Sequence, residues 1–519
     1  MKRSWWRAGL LAAGVLALLA AAWLSPRVVP YNMDEFVHYQ ALGCATAERS
    51  RELPPIRDGC GWFDLRLPFS RAPLPLRSYA YIGSLPSLPF YPFWRGLQDP
   101  VAARVQGAVF FLLWLFLAAR LLRVGKGAIV AASLVFPVFL ATFVVDEGPV
   151  GLSALLFAAA LLGVRRSLDA PGRHGALGWA VLAGLLLFLG LWVKLVFAWW
   201  LPAFALFALA EARRRSPSIG QAVRRRLPEI LAGSAAVLLP TLVLLASVDR
   251  EGRPYAAASR WSGVSAEPEA VEAVAVRLAR YAIDASLVAP RNLALPSWPL
   301  ADAQPAVLSA GILALGFWRR RRRLEIAGWA GLAALTFALV ASSGQSRWPH
   351  HFAFPLFLVV LALGVALEVA GPRARLVAAA LVVALWATLA VRLPAGVSPP
   401  DSSREKDDLL ALVRADGLDR RTLQVHSSWG TYYIAQLFGD PQRMLVYLRA
   451  APDEPERLAQ LRDLARERGR ALLLLSGRRW ERLHTPEVEA VLGRPERTWQ
   501  FGSWWAVEYV TSRSPSPRP

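Results

Sequence analysis

Apolar runs alternate with short charged breaks through the first three quarters of the chain. They cover about Leu10–Leu24, Val101–Leu122, Ala128–Val145, Val150–Val164, Gly175–Ala210, Leu227–Val248, Pro305–Trp318, Ile326–Ala341, Phe352–Val369 and Leu376–Leu393. A helix needs about 20 residues, rising about 1.5 Å each, to cross a hydrocarbon core of roughly 30 Å. Gly175–Ala210 is too long for one crossing and its one charge is Lys194, so it reads as two helices joined tightly there. The pattern predicts a polytopic α-helical membrane protein of about eleven transmembrane helices.

Two polar stretches interrupt the series. Residues 25–100 carry Pro68, Pro73, Pro75, Pro86, Pro89 and Pro92 among aromatics, a density that forbids one long helix. Residues 249–304 contain Val271, Val274, Leu278 and Tyr281 on one helical face, a patch suited to lying flat on a bilayer. Beyond the helical domain, residues 1–393, the pattern changes. Apolar strings at Thr422–His426, Met444–Leu448, Ala471–Leu475 and Trp504–Val510 alternate with helical patterns at Lys406–Arg414, Pro455–Arg468 and Pro486–Leu492. That alternation predicts a small α/β domain over residues 394–511, followed by a Ser/Pro/Arg-rich tail, 512–519, that reads as disordered.

Charge orients the helices. The formal net charge is +21 with 55% hydrophobic residues, and mean hydropathy is +0.35. A soluble chain this basic would point to nucleic acid. Here the arginines fall between apolar runs, so the charge reads as topology and nucleic acid is not expected as a partner. Lys2, Arg3 and Arg7 before a short apolar core also fit a cleaved signal peptide, but no small-x-small site precedes Ser25-Pro26. An uncleaved first helix with its N-terminus inside is the better reading. Alternation then places Arg123, Arg165, the arginines of 213–226 and 319–323, and Arg373 and Arg375 inside. The loops at Asp34, Asp146, 249–304 and 342–351 and the C-terminal domain fall outside a cell (inner) membrane. Cys44 and Cys60 share the first outer loop and could form a disulfide or remain free thiols.

Candidate chemistry clusters on the outer side. Asp34 and Glu35 follow the first helix, and His38, three residues after Glu35, would share its helical face. A carboxylate at the membrane boundary can take a proton from an attacking hydroxyl or amine. Asp146 and Glu147 sit between two closely joined helices, where acids near hydrocarbon need a partner or a purpose. Asp34 and Asp146 together could hold a divalent cation, Mg or Mn, through oxygen ligands. Arg104, Lys194 and Arg347, with His350 and His351, supply positive charge and ring nitrogens that could receive a departing phosphate. Each has an ordinary alternative: solvated acids after a helix, a polar hinge at Lys194, structural histidines. His426 reads as part of the soluble fold. No Ser/His/Asp series, glycine-rich phosphate loop, zinc spacing or ATPase motif is found.

The Asp34-Glu35 pair just beyond an uncleaved first helix, with "DPVAARVQGAVF", "VVDEGPVGLSALLFAAALL", "LGLWVKLVFAWWLPAFAL" and "SRWPHHFAFPLFLVVLAL", resembles the GT-C superfamily of membrane glycosyltransferases. The similar branch is that of protein O-mannosyltransferases and aminoarabinose transferases, over residues 1–393. The resemblance implies a polyprenyl-phosphate-linked sugar donor, an envelope acceptor (lipid, glycan or protein), inversion at the anomeric carbon, and catalysis on the outer face. By match Asp34 would be the acid/base residue or the acid that positions the acceptor, Glu35 its support, Asp146 the second acid, and Lys194 or Arg104 the phosphate contact. Two other classes compete. A transporter or flippase of envelope precursors predicts charges at mid-membrane, and the span centres are almost wholly apolar. A non-catalytic scaffold predicts no penalty for altering the acids.

Overall fold

A computed structural model describes residues 2–25, 42, 64–65, 74–75, 77–79, 82–90, 101–145, 150–249, 271–283, 287, 298–343, 349–396, 408–409, 411–412, 422–427, 431–432, 434–435, 444–447, 455–476, 485–501 and 504–511. The chain forms two compact units, Met1–Pro30 with Val101–Ser398, and Tyr31–Pro100 with Pro399–Pro519.

The first unit is helical. Its elements are α1 (Lys2–Leu24), α2 (Val101–Leu122), α3 (Lys126–Leu134), α4 (Pro137–Val144), α5 (Val150–Asp169), α6 (Arg173–Val193), α7 (Leu201–Arg214), α8 (Ile219–Arg225) and α9 (Leu227–Asp249). They continue with α10 (Val271–Ile283), α11 (Pro299–Asp302), α12 (Gln304–Trp318), α13 (Arg323–Ser342), α14 (Ala353–Ala370) and α15 (Pro372–Gly396). Among the described residues, nine helices are long and apolar enough to cross a membrane, and a tenth if the bent pair α3–α4 is one span. Ala12–Leu24 adds a shorter apolar stretch. The protein is therefore a polytopic helical membrane protein.

Two breaks shape this unit. The sequence predicts one span over Ala128–Val145, but the chain bends there by 93° between α3 and α4. Pro137 has no N–H to continue the helix, and it holds Phe136 in an extended conformation (φ −113°, ψ 101°). The second break falls at Lys194, where the sequence expects it. Lys194 is extended between α6 and a 3₁₀ turn at Leu195–Trp200. Its N–H closes α6 onto the Gly190 carbonyl at 3.1 Å, and its own carbonyl accepts from Phe197 N–H at 2.9 Å. The Phe197 ring folds back onto Gly190, into space that a Cβ would fill.

The core gathers on α14, with 78% of its apolar window buried. Phe357 stands at its centre, with ring centroids 5.8 Å from Trp114, 4.5 Å from Phe139, 5.4 Å from Phe143 and 5.8 Å from Trp200. Such edge and tilted pairs add to the burial of the rings themselves. Gly107 lets α2 approach the backbone of α4, since a Cβ there would overlap the Phe143 carbonyl.

One end of the unit carries the arginines. Arg322 Nη2 donates to the Leu122 carbonyl at 2.7 Å, and Arg226 Nη2 to the Leu168 carbonyl at 3.2 Å. Arg123 lies 3.6 Å from Asp169, and Arg165 bonds Glu211 at 2.7 Å. Glu368 accepts from Gly125 N–H at 3.1 Å and faces Arg375 at 3.3 Å. The breaks rich in arginine thus meet at one end, as alternating spans require.

The second unit contains a five-stranded sheet of β5 (Leu423–His426), β6 (Met444–Tyr447), β7 (Arg470–Ser476), β8 (Arg494–Phe501) and β9 (Trp504–Val510), in the order β6-β5-β7-β9-β8. It also holds two short pairs, β1 (Asp64–Leu65) with β2 (Leu74–Pro75) and β3 (Arg77–Tyr79) with β4 (Ile82–Gly83). β5 pairs in parallel with β6 and β7, and β9 pairs antiparallel with β7 and β8. The buried β5 reads as a parallel-sheet strand, apolar at Leu423 and Val425. Leu461 and Leu464 of α16 (Pro455–Arg468), and Val488 and Leu492 of α17 (Pro486–Leu492), pack on Leu473 and Val507 to complete an α/β core. His426 ends β5, fully buried, with Nε2 3.2 Å from Gln424 Oε1. Burial pushes its pKa down to about 3, so the ring is neutral.

Candidate functional site

The end of the helical unit away from the arginines collects cations one at a time, each at a helix end. Arg104 lies in the first turn of α2 and is 1% exposed. A cation near a helix N-terminus opposes the helix dipole, so local helix energetics do not account for it. Tertiary structure holds it: Arg104 Nη1 donates to Ser25 Oγ at 3.1 Å, and Ser25 Oγ donates to the Ala22 carbonyl at 2.7 Å. Ala22 packs with Ala108, Val144 and Val145. The ends of α1 and α4 and the start of α2 therefore meet in one cluster, reached along the chain just before Asp146.

Lys194 is 3% exposed. The extended backbone at the α6 break withdraws its residue from the helical repeat and sets the turn that follows. That turn packs on the start of α14. Trp200 Nε1 donates to the Phe354 carbonyl at 3.1 Å, and the Trp200 and Phe354 rings lie 4.6 Å apart. Trp199 meets the His351 ring edge-on at 5.1 Å. His351, 1% exposed, and His350 share the 3₁₀ turn Pro349–Phe352 that leads into α14. The structure thus brings the Lys194 segment against the His350–His351 segment. Arg104 sits on a separate cluster at the same end of the unit.

Asp34, Glu35, His38, Asp146, Glu147 and Arg347 lie outside the described residues, as do Cys44 and Cys60. Among the described residues no group of three His, Cys, Asp or Glu could hold a metal ion.

One buried pair escapes the sequence. Arg392, near the end of α15, forms an ion pair with Asp302 of α11 at 2.6 Å, with side chains 1% and 0% exposed. Asp302 also accepts from Trp298 N–H at 3.0 Å, and the Arg392 guanidinium lies 5.4 Å from the Trp298 ring centroid. This pair fastens the segment before α12 onto α15. Each residue alone looks like an ordinary charge flanking a span, and only the fold joins them.

Chemically, this end offers cations withdrawn from water and, near Lys194, a cluster of aromatic rings. Such groups favour a multiply charged anion at the membrane boundary, because partial desolvation strengthens their field.

No family model and no curated protein matches the chain. Solved structures do, and what they share with this chain is the fold. One match is ArnT from Cupriavidus metallidurans bound to undecaprenyl phosphate, with a TM-score of 0.59 and 14% identity, covering 98% of this chain and 99% of that one. The same protein in the apo state matches equally, with a TM-score of 0.59 and 14% identity, covering 98% of this chain and 100% of that one. The likeness is one of fold.

Proposed function

We propose that this protein is a GT-C-type glycosyltransferase that moves a sugar from a polyprenyl-phosphate-linked donor to an envelope acceptor at the outer face of the cell (inner) membrane. The observation that carries the reading is Lys194. It is a lysine buried at a break between apolar helices, in a fold shared along its whole length with a protein whose structure holds undecaprenyl phosphate.

In the proposed step, the Asp34 carboxylate accepts the proton of the acceptor hydroxyl or amine as its lone pair forms the new bond to C1 of the sugar. The C1–O bond to the donor phosphate breaks, and its electron pair leaves on that oxygen. Lys194, Arg104 and Arg347 receive the resulting polyprenyl phosphate. Glu35 orients Asp34. Asp146 and Glu147 form the second acidic position, and His38, His350 and His351 contact substrate. Attack opposite the leaving phosphate inverts the anomeric carbon.

The test is transfer from a radiolabelled polyprenyl-phosphate sugar by full-length protein in nanodiscs. Asp34→Asn and Asp146→Asn should each lower transfer by at least about 100-fold, with unchanged thermal unfolding. Full activity in both variants would overturn the mechanism.

A further inference from the structure

The arginine-bearing end of the helical unit holds a cavity that the proposed reaction does not use. Its volume is about 420 Å³. Arg123, Arg165, Arg214, Arg215 and Arg322 line it against two carboxylates, Glu211 and Glu325. Glu325 is occupied by Arg322, through two hydrogen bonds of 2.8 Å. Glu211 takes three more guanidiniums. It accepts from Arg165 at 2.7 Å, from Arg214 at 3.0 Å and from Arg215 at 2.7 Å. Asp169, behind the cavity, takes the far edge of Arg215 at 2.7 Å and faces Arg123 at 3.6 Å. Positive charge is left over after every one of these pairs.

That excess matters because part of it is dry. The Arg165 side chain is 8% exposed, its Nε has no hydrogen-bond partner among the described residues, and its guanidinium lies 5.4 Å from the Phe207 ring centroid. A guanidinium withdrawn from water favours a further anion beside it. Access is open on the other side, where the side chains of Arg123 and Arg214 are 71% and 52% exposed.

Beside it lies a second cavity of about 200 Å³, and Arg165, Glu211, Arg214 and Glu325 line both. Its remaining walls are apolar, including Leu206 and Phe207 of α7 and Trp329 and Leu332 of α13. Arginines at the mouth and an apolar furrow running along two spanning helices match one kind of molecule, a phosphate with a hydrocarbon chain attached. We infer that this cavity binds an anionic membrane lipid, its phosphate among Arg123, Arg165 and Arg214 and an acyl chain along α7 and α13. Free phosphate shares the headgroup chemistry and lacks the chain.

The experiment uses the full chain in detergent, probed with phosphatidylglycerol, phosphatidylcholine and inorganic phosphate, and read by native mass spectrometry and thermal shift. Phosphatidylglycerol should bind about tenfold more tightly than phosphatidylcholine. The double variant Arg123→Gln/Arg214→Gln should lose about fivefold or more of that affinity while melting normally without lipid, since both side chains are exposed. Arg224→Gln, an exposed arginine of α8 outside the cavity, should bind as the parent does. Inorganic phosphate that displaced the lipid at equal concentration would assign the arginines to a free anion and overturn the lipid. Equal binding of the two lipids, or an equal loss in Arg224→Gln, would overturn the site altogether.

Discussion

The two ends of the helical unit handle positive charge in opposite ways. At one end, Arg104, Lys194 and Arg392 are each at most 3% exposed, and each belongs to a different helix end. At the other, arginines crowd together, many open to solvent, and three of them share the single carboxylate of Glu211. Crowded, exposed arginines are what topology alone demands of a membrane protein. Cations taken out of water at separate helix ends are not, because each carries a desolvation cost that the fold must offset. The difference teaches where to look for chemistry: at the end with few cations rather than the end with many.

The comparison breaks first if the buried cations prove dispensable. Arg392→Met leaves the fully buried Asp302 without its partner and should destabilise the protein by about 3–5 kcal/mol in thermal unfolding. Adding Asp302→Leu should restore most of that loss, since an apolar pair of similar volume replaces a buried ion pair well. A normal melt for Arg392→Met alone would show that burial at this end is inexpensive.

Next comes activity. Lys194→Gln should reduce sugar transfer by about 100-fold, near 2.7 kcal/mol, whereas Arg224→Gln at the arginine-bearing end should leave it unchanged. Equal losses would erase the functional contrast between the ends.

Packing gives a smaller difference. Gly107→Ala pushes a Cβ into the Phe143 carbonyl, which is backbone and cannot swing aside, and should cost about 1–3 kcal/mol. Gly125→Ala, at the opposite end, meets only the flexible ends of Glu368 at 3.3 Å and Arg375 at 3.7 Å, and should change stability by less than about 0.5 kcal/mol.

The smallest effect calibrates buried histidine. In the folded second unit burial holds the His426 pKa down at about 3, against an ordinary histidine value of about 6.5. As pH falls from about 6.5 towards about 3, the unfolded chain takes up a proton that the folded chain refuses. Stability therefore declines with falling pH, by at most about 1.4 kcal/mol per unit. His426→Gln should flatten that slope in urea titrations of the full chain, and an unchanged slope would mean that other groups set it.

Much of this fold is legible in the sequence because hydrocarbon imposes a simple grammar. Helix positions follow from apolar run lengths. The break at Lys194 follows from one charge in a stretch too long for a single crossing. The bend at Phe136 is harder, because Pro137 sits in an apolar run of ordinary span length and tolerated prolines are common in membrane helices. The Asp302–Arg392 pair is invisible in one dimension, since neither residue's neighbours signal the other. The sharing of Glu211 by three arginines is equally hidden, although an acid just before Arg213, Arg214 and Arg215 was a hint. Of the candidate site, Arg104, Lys194 and His351 show their burial and their surroundings. The acids belong to sequence reasoning.

The sharp corner between α3 and α4 has a consequence for how the molecule is made. A right-angled piece of backbone cannot slide into a bilayer as an ordinary hairpin, because the carbonyls and amides at the elbow would face lipid without partners. It settles only when enclosed, and its Leu134 carbonyl is met by the Trp386 indole N–H of α15 at 2.9 Å. That helix is synthesised long after the elbow emerges. The early piece must therefore wait at the insertion machinery, half-placed, until a late arrival closes over it.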